Sequence, residues 1–328
     1  MIIMKKLLAG ITLTACAFSF SGCTKRVEDA GFRFAEYKKV LGPYWQVNDI
    51  QFADSQNGMM LVDYESVLRT SDGGNTWQSV FSDPATVTCI AYPQKDTAYV
   101  YVQPSSSADH DVFRSIDGGT TWTAVAPLAD DVTVDFYNGK NGFAYAAIPP
   151  SNQERVLKTT NAGATWTTVG TQTFSALSNI QFVSATRGFV LYSDFQITTD
   201  GGLTWTPTRS VPNGWSHMST EGVCYITYDN EIQKTTDFGA TWSTCLTASA
   251  SQLLSIDFYG QFVVALQDMQ FVVSKDGGAT WSNYLIRDLT YSYSPRLSML
   301  RAIDGQSAMV TGRFSDYEST TVFKFTFP

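Results

Sequence analysis

Carboxylates and aromatic residues recur along this chain of 328 residues in types that suit ligand binding or acid–base chemistry. The carboxylates are Asp63 and Glu65, Asp109 and Asp111, Glu154, Asp194, Asp229 and Glu231, Asp268, then Asp316 and Glu318. Tyr44, Trp45, Trp215, Tyr291 and Tyr293 are interspersed with them. Aromatic faces cover the C–H faces of a sugar while carboxylates accept its hydroxyls. An acidic surface equally suits a basic protein segment. Two carboxylates held about 5–9 Å apart would form a glycosidase pair, and Asp63, Asp111 and Asp229 are the candidates. The plainer alternative is that these acids are solvated turn residues and that Trp45 and Trp215 fill core. His110 and His217 stand far apart and read as loop residues rather than as a base or ligand. No Ser or Thr sits in a nucleophile-elbow setting. Cys89, Cys224 and Cys245 follow no zinc or disulfide spacing and are expected as free thiols. No metal or cofactor is expected.

The elements that position these groups are set by a repeat. Six near-copies of an eight-residue box end in Thr-Trp, the first being Thr70-Ser-Asp72-Gly-Gly74-Asn-Thr76-Trp77. The others carry Asp117 and Trp122, Asn161 and Trp166, Asp200 and Trp205, Asp237 and Trp242, and Asp276 and Trp281. The tryptophans are 45, 44, 39, 37 and 39 residues apart, a period that means stacked similar units. In the fourth unit, residues 177–183, 188–192 and 195–198 alternate as strands, and Trp205-Thr206 opens another. Four short strands per ~40 residues make a propeller blade. The box is then the turn between third and fourth strands. Its glycines supply positive φ, and its Asp accepts backbone N–H groups. Its Trp plugs the space between strands, worth at most about 4–6 kcal/mol if fully buried. A ligand or calcium loop is the functional alternative for the box.

Six boxes do not mean six blades. Residues 297–300, 308–310 and 321–325 read as three strands of a seventh unit that has no box after it. Twelve residues separate Trp77 from Cys89. The same distance back from Asp49 reaches Tyr37, so residues 37–40 take the place of a fourth strand, with Tyr37 where other units have Trp. The expectation is an all-β, seven-bladed propeller of four-stranded antiparallel blades, with six blades as the alternative. An N-terminal strand closes the ring by pairing with Thr321–Phe325, which removes an open edge.

Lys5-Lys6, an apolar stretch and Phe20-Ser21-Gly22-Cys23 read as an export signal ending in a lipidation site. Cys23 is favoured over Cys16, whose apolar stretch is shorter. The expected organisation is a signal over 1–23, a tether over 24–30 and one propeller over 31–328, in the bacterial cell envelope at the outer membrane or cell surface. Acyl chains contribute about 0.8 kcal/mol per buried CH₂, enough for firm anchoring. The net charge of -8 argues against nucleic acid as a partner.

The box and its spacing resemble the Asp-box, or bacterial neuraminidase repeat. That repeat is found in sialidases, sortilin-type receptors, oligoxyloglucan-cleaving hydrolases and photosystem II assembly factors. The unit form Ile-Gln-Phe…Gly…Thr-Thr-Asp-Gly-Gly-Xaa-Thr-Trp looks most like the assembly-factor branch and its bacterial relatives, over about residues 45–328. The resemblance implies a propeller and leaves activity open, because this scaffold hosts unrelated functions. A sialidase would have an Arg-Ile-Pro opening, where this chain has Phe32-Arg33-Phe34, and an arginine triad. Arg69, Arg114, Arg155 and Arg187 show no such regular trio. The xyloglucan hydrolases face two propellers across a cleft, and this chain holds one. The expected function is non-catalytic binding of a protein or extracellular glycan through the loop face opposite the boxes. The alternative is a glycan-active hydrolase using carboxylates on that face.

Overall fold

The computed structural model describes residues 33–41, 46–103, 111–125, 133–148, 153–174, 179–191, 194–210, 214–215, 217–228, 230–248, 253–267, 270–286, 296–313 and 321–328. Every regular element among them is a strand. The first blade holds β2 (Val47–Phe52), β3 (Gly58–Val62), β4 (Ser66–Thr70) and β5 (Gln78–Ser82). The second holds β6 (Thr86–Gln94), β7 (Thr97–Gln103), β8 (Asp111–Ser115) and β9 (Thr123–Ala124). The third holds β10 (Thr133–Phe136), β11 (Gly142–Ile148), β12 (Gln153–Thr159) and β13 (Thr167–Thr168). The fourth is β14 (Asn179–Phe182), β15 (Gly188–Leu191), β16 (Asp194–Thr198) and β17 (Thr206–Ser210). The fifth is β18 (Gly214–Trp215), β19 (Cys224–Tyr228), β20 (Glu231–Thr235) and β21 (Ser243–Thr247). The sixth is β22 (Leu253–Tyr259), β23 (Phe262–Gln267), β24 (Gln270–Ser274) and β25 (Ser282–Ile286).

The seventh blade closes the ring. It runs β26 (Arg296–Ala302), β27 (Ser307–Arg313) and β28 (Thr321–Thr326), and β1 (Arg33–Leu41) completes it. Tyr37 pairs with Phe325 and Lys38 with Lys324 in antiparallel register, the counterpart of Gln78 against Arg69 in the first blade. Tyr37 therefore holds the register position of a box Trp, as the spacing predicts. The sequence did not suggest the rest of β1. Arg33, Phe34 and Ala35 run parallel to Tyr284, Leu285 and Ile286 of the sixth blade. One strand thus joins two blades into an eight-stranded sheet.

Apolar residues of adjacent blades interdigitate to form the core. Tyr99 stacks on Phe136 and Phe143 on Phe182 from one blade to the next. In the first, third and fourth blades a glycine opens the second strand under the aromatic ring that ends the first. A Cβ on Gly188 would lie 2.7 Å from both the Gln181 carbonyl and the Phe182 ring, far inside van der Waals contact. This is the physical reason for the Phe…Gly spacing in the repeat.

The boxes are self-satisfied turns. In the first, Thr70 Oγ1 donates to Asp72 Oδ1 and accepts from the Gly74 amide. Asp72 also accepts from the Asn75 and Thr76 amides and the Thr76 hydroxyl. These donors hold Asp72 down at about 2, the Thr76 hydroxyl contributing most. Asn161 keeps the arrangement without charge, accepting from the Thr165 amide and donating to its hydroxyl. The tryptophans correct one expectation. They pack on their own blade, as Trp77 on Phe52 and Trp205 on Phe182, and also on the preceding one, as Trp122 on Phe81. Among them only Trp205 is buried, so the other five contribute less than full burial would. Trp122 Nε1 donates to the Val80 carbonyl of the preceding blade's outer strand, and Trp281 Nε1 to that of Cys245.

Box five replaces a glycine with Phe238 at φ 61. A bulky residue there is strained. The strain is offset where Arg187 of the fourth blade stacks over the ring at 4.3 Å.

Candidate functional site

Hydrogen bonds sort the loops onto two faces. On one face, the box amides of Gly73, Gly118, Ala162, Gly201, Phe238 and Gly277 each donate to a carbonyl in the first-to-second turn of the same blade. Phe327 does the same to Gln306 in the seventh blade, which has no box. Cations bind neighbouring blades together here: Lys234 Nζ donates to the Gly277 carbonyl and Lys275 Nζ to that of Phe327. Arg114 lies over the Tyr99 ring. The Arg114 contact lies within the second blade, whereas Arg187 over Phe238 joins the fourth blade to the fifth. The box acceptors are filled from within the turn. No group of three metal-binding side chains occurs among the described residues.

The opposite face carries the second-to-third turns and the connections between blades, as expected from the sequence. Its best-defined part is the turn at residues 63–65. Asp63 and Tyr64 both have φ 55, unusual for residues other than glycine. They are fixed from both sides. Asp63 exchanges bonds with Gln46, its amide donating to the Gln46 carbonyl and its carboxylate accepting from the Gln46 amide. The Tyr64 amide donates to Asn48 Oδ1. The Tyr64 and Glu65 carbonyls accept from the Val87 and Asp83 amides of the connection to the second blade. Asp63, Tyr64 and Glu65 all face solvent, Tyr64 as a residue 45% exposed. Asp111 is also exposed, at the start of β8 in the adjacent blade.

The structure thus places Asp63 and Asp111 on the expected face in neighbouring blades. Glu231 is less available than the sequence suggests, because Gln233 and Thr244 both donate to its carboxylate. Trp215 contributes backbone to β18. Tyr44, Trp45, Asp229, Tyr291, Tyr293, His110, Cys16 and Cys23 lie outside the described residues. Cys89, Cys224 and Cys245 are free thiols, as expected.

Sequence reasoning missed a polar belt near the ring axis. First strands of successive blades lie side by side, and one position on each faces the next blade. Gln51 brackets the second blade, accepting from the Tyr92 amide and donating to the Ile90 carbonyl. Asp135 accepts from the Phe182 amide at 2.6 Å. Gln181 brackets Met218 in the same two-bond manner. His217 Nδ1 meets Asp257 Oδ1 at 2.9 Å, and Asp257 Oδ2 accepts from the Ala302 amide. The imidazole stacks flat on Phe258 at 4.4 Å. Arg301 Nε donates to the Ile50 carbonyl, across the join between last and first blades. His217 is therefore part of the ring's fastening rather than a plain loop residue. The available signal was a polar residue between two apolar ones at Gln51, Asp135, Gln181, Asp257 and Arg301. Enclosure pushes Asp135 up to about 7, the Phe182 bond opposing the shift only in part. It also raises Asp49 against the pull of Arg301.

Comparison with known proteins agrees with this geometry. The BNR/Asp-box repeat model matches residues 196–207. The turns of this ring are Asp-box turns. No curated protein matches the sequence. Among solved structures, YCF48 bound to D1 peptide is similar, with a TM-score of 0.67 and 12% identity over 97% of this chain and 100% of that one. YCF48 from Cyanidioschyzon merolae gives a TM-score of 0.63 and 17% identity over 88% and 98%. A GH74 enzyme from Niastella koreensis gives 0.40 and 16% over 82% and 55%. At these identities the likeness to YCF48 is one of fold: a seven-bladed Asp-box propeller.

Proposed function

We propose that this protein is an exported, lipid-anchored binding platform that takes a protein or glycan partner on the face opposite the boxes and performs no chemistry on it. The observation that carries this reading is the 63–65 turn. It holds two carboxylates and a half-exposed tyrosine rigidly toward solvent, whereas Asp135 and Asp257 near the axis are engaged in joining blades. Preorganised polar and aromatic groups on a rigid scaffold favour recognition. The bound D1 peptide of a similar propeller supports a peptide partner in particular. Cys23 is the proposed anchor.

Binding is tested by incubating the purified chain with immobilised glycans and with basic and acidic peptides. A joint Asp63→Asn and Glu65→Gln variant is expected to bind its best probe about tenfold more weakly, the worth of one charged contact, with unchanged melting. Equal binding by the variant would remove this turn from the site, and silence on every probe would refute the reading. Labelled palmitate is expected in wild type and Cys16→Ser but not in Cys23→Ser. Label retained in Cys23→Ser would exclude that anchor.

A further inference from the structure

We propose that the ring is built to open at the seam between its second and third blades, hinged on the box face and parting toward the axis. At each of the other six seams a polar side chain of a first strand, or His217 just after one, bonds across to the next blade. At the second-to-third seam the belt position is Ala91, which has no group to donate or accept. The Cys89 thiol, two residues earlier, meets the Ile90 carbonyl of its own strand at 4.0 Å, and a thiol is a weak hydrogen-bonding group.

Three further features mark the same seam. Tyr101 is fully buried there and its hydroxyl has no hydrogen-bond partner among the described residues. An unpaired buried hydroxyl opposes closure, since opening returns it to water. The apolar lining includes Ala91, Ala144 and Ala146, small residues that lose little on separation. The outer strands flanking the seam, β9 and β13, are two residues each. Against these stand contacts on the box side. Tyr99 stacks on Phe136 at 3.9 Å, and its hydroxyl donates to the Gly139 carbonyl. They supply the hinge.

Hydrogen exchange of the intact chain tests this directly. Amides of β6 and β10 are expected to exchange about tenfold faster than those of β14 and β22, the worth of roughly one net hydrogen bond. Ala91→Gln, which restores a belt side chain, is expected to slow β6 and β10 to the common rate. Gln51→Ala is expected to transfer the behaviour to the first seam, speeding exchange in β2, and it is read alone if Ala91→Gln fails to fold. Uniform protection of the first strands in wild type, or no acceleration in Gln51→Ala, would overturn the proposal.

Discussion

A chain lacking residues 33–41 is expected to melt at least about 10 °C below the full chain and with a broader transition. The strand covers the outer edge of β28 through five residue pairs and lies along β25 through three more. Its removal exposes an unpaired strand edge and uncovers the side of a blade whose core includes Phe323, Phe325 and Phe327. At about 1 kcal/mol net per hydrogen bond, the lost pairing alone costs several kcal/mol. Each kcal/mol shifts the melting of a chain this large by about 2 °C or slightly less. The effect also spreads. β1 joins the sixth and seventh blades, so without it the ring loses its only continuous sheet between two blades among the described residues. Scanning calorimetry of the two chains reads the result, and an unchanged transition would show that the ring closes without this strand.

The second large effect concerns Asp135. Its folded pKa of about 7 stands well above the ordinary value of 3.8 because the carboxyl is enclosed between blades. A carboxyl raised on folding binds a proton that the unfolded chain has released. Its favourable contribution is therefore complete below about 3.8 and is lost as pH rises through 7. At about 1.4 kcal/mol per pKa unit the loss is a few kcal/mol. The box aspartates act in the opposite sense. Asp72 and Asp117 are held at about 2 by threonine donors, so what they contribute is present above 3.8 and lost only as pH falls toward 2. The wild-type melting temperature is expected to decline by several degrees between pH 5 and pH 8. Asp135→Asn keeps an acceptor for the Phe182 amide and carries no charge. It is expected to match wild type near pH 5, to be the more stable protein at pH 8 and to show a flatter profile. Parallel pH profiles for the two proteins would mean that the Asp135 carboxyl is not held in its protonated form by the fold.

The ring was legible in the sequence because the box is a local device. Thr70, Asp72, the glycines and Trp77 contact one another within eight residues, so their types and spacing record the turn directly. Tyr37 was legible for a related reason: the distance from one unit's Trp to the next unit's first strand is nearly fixed, and projecting it backward lands on that residue. The belt was hidden because its bonds span 37 to 47 residues, or 251 at Arg301, and its members differ chemically. Gln51, Asp135, Gln181, His217, Asp257 and Arg301 do one job with four side-chain chemistries. Each looks in sequence like the polar residue expected in any alternating strand. The parallel half of β1 was hidden because Arg33-Phe34-Ala35 carries no pattern that names its partner. The loop face was read only as a composition of acids and aromatics. Asp63 and Asp111 are found where the repeat puts them, but their exposure depends on turn geometry such as the paired positive φ at Asp63 and Tyr64, which residue types do not encode.

Closure of the ring is tested most directly by a covalent link across the seventh blade. Lys38 and Lys324 are paired residues on β1 and β28, within the span a disulfide requires. A Lys38→Cys and Lys324→Cys variant is expected to form an internal disulfide under mild oxidation, to migrate faster on a non-reducing gel and to melt higher than its reduced form. If the two thiols stay free in the folded protein while Lys38→Cys alone and Lys324→Cys alone are readily alkylated, the N-terminal strand does not complete the last blade and the closed seven-bladed ring is wrong.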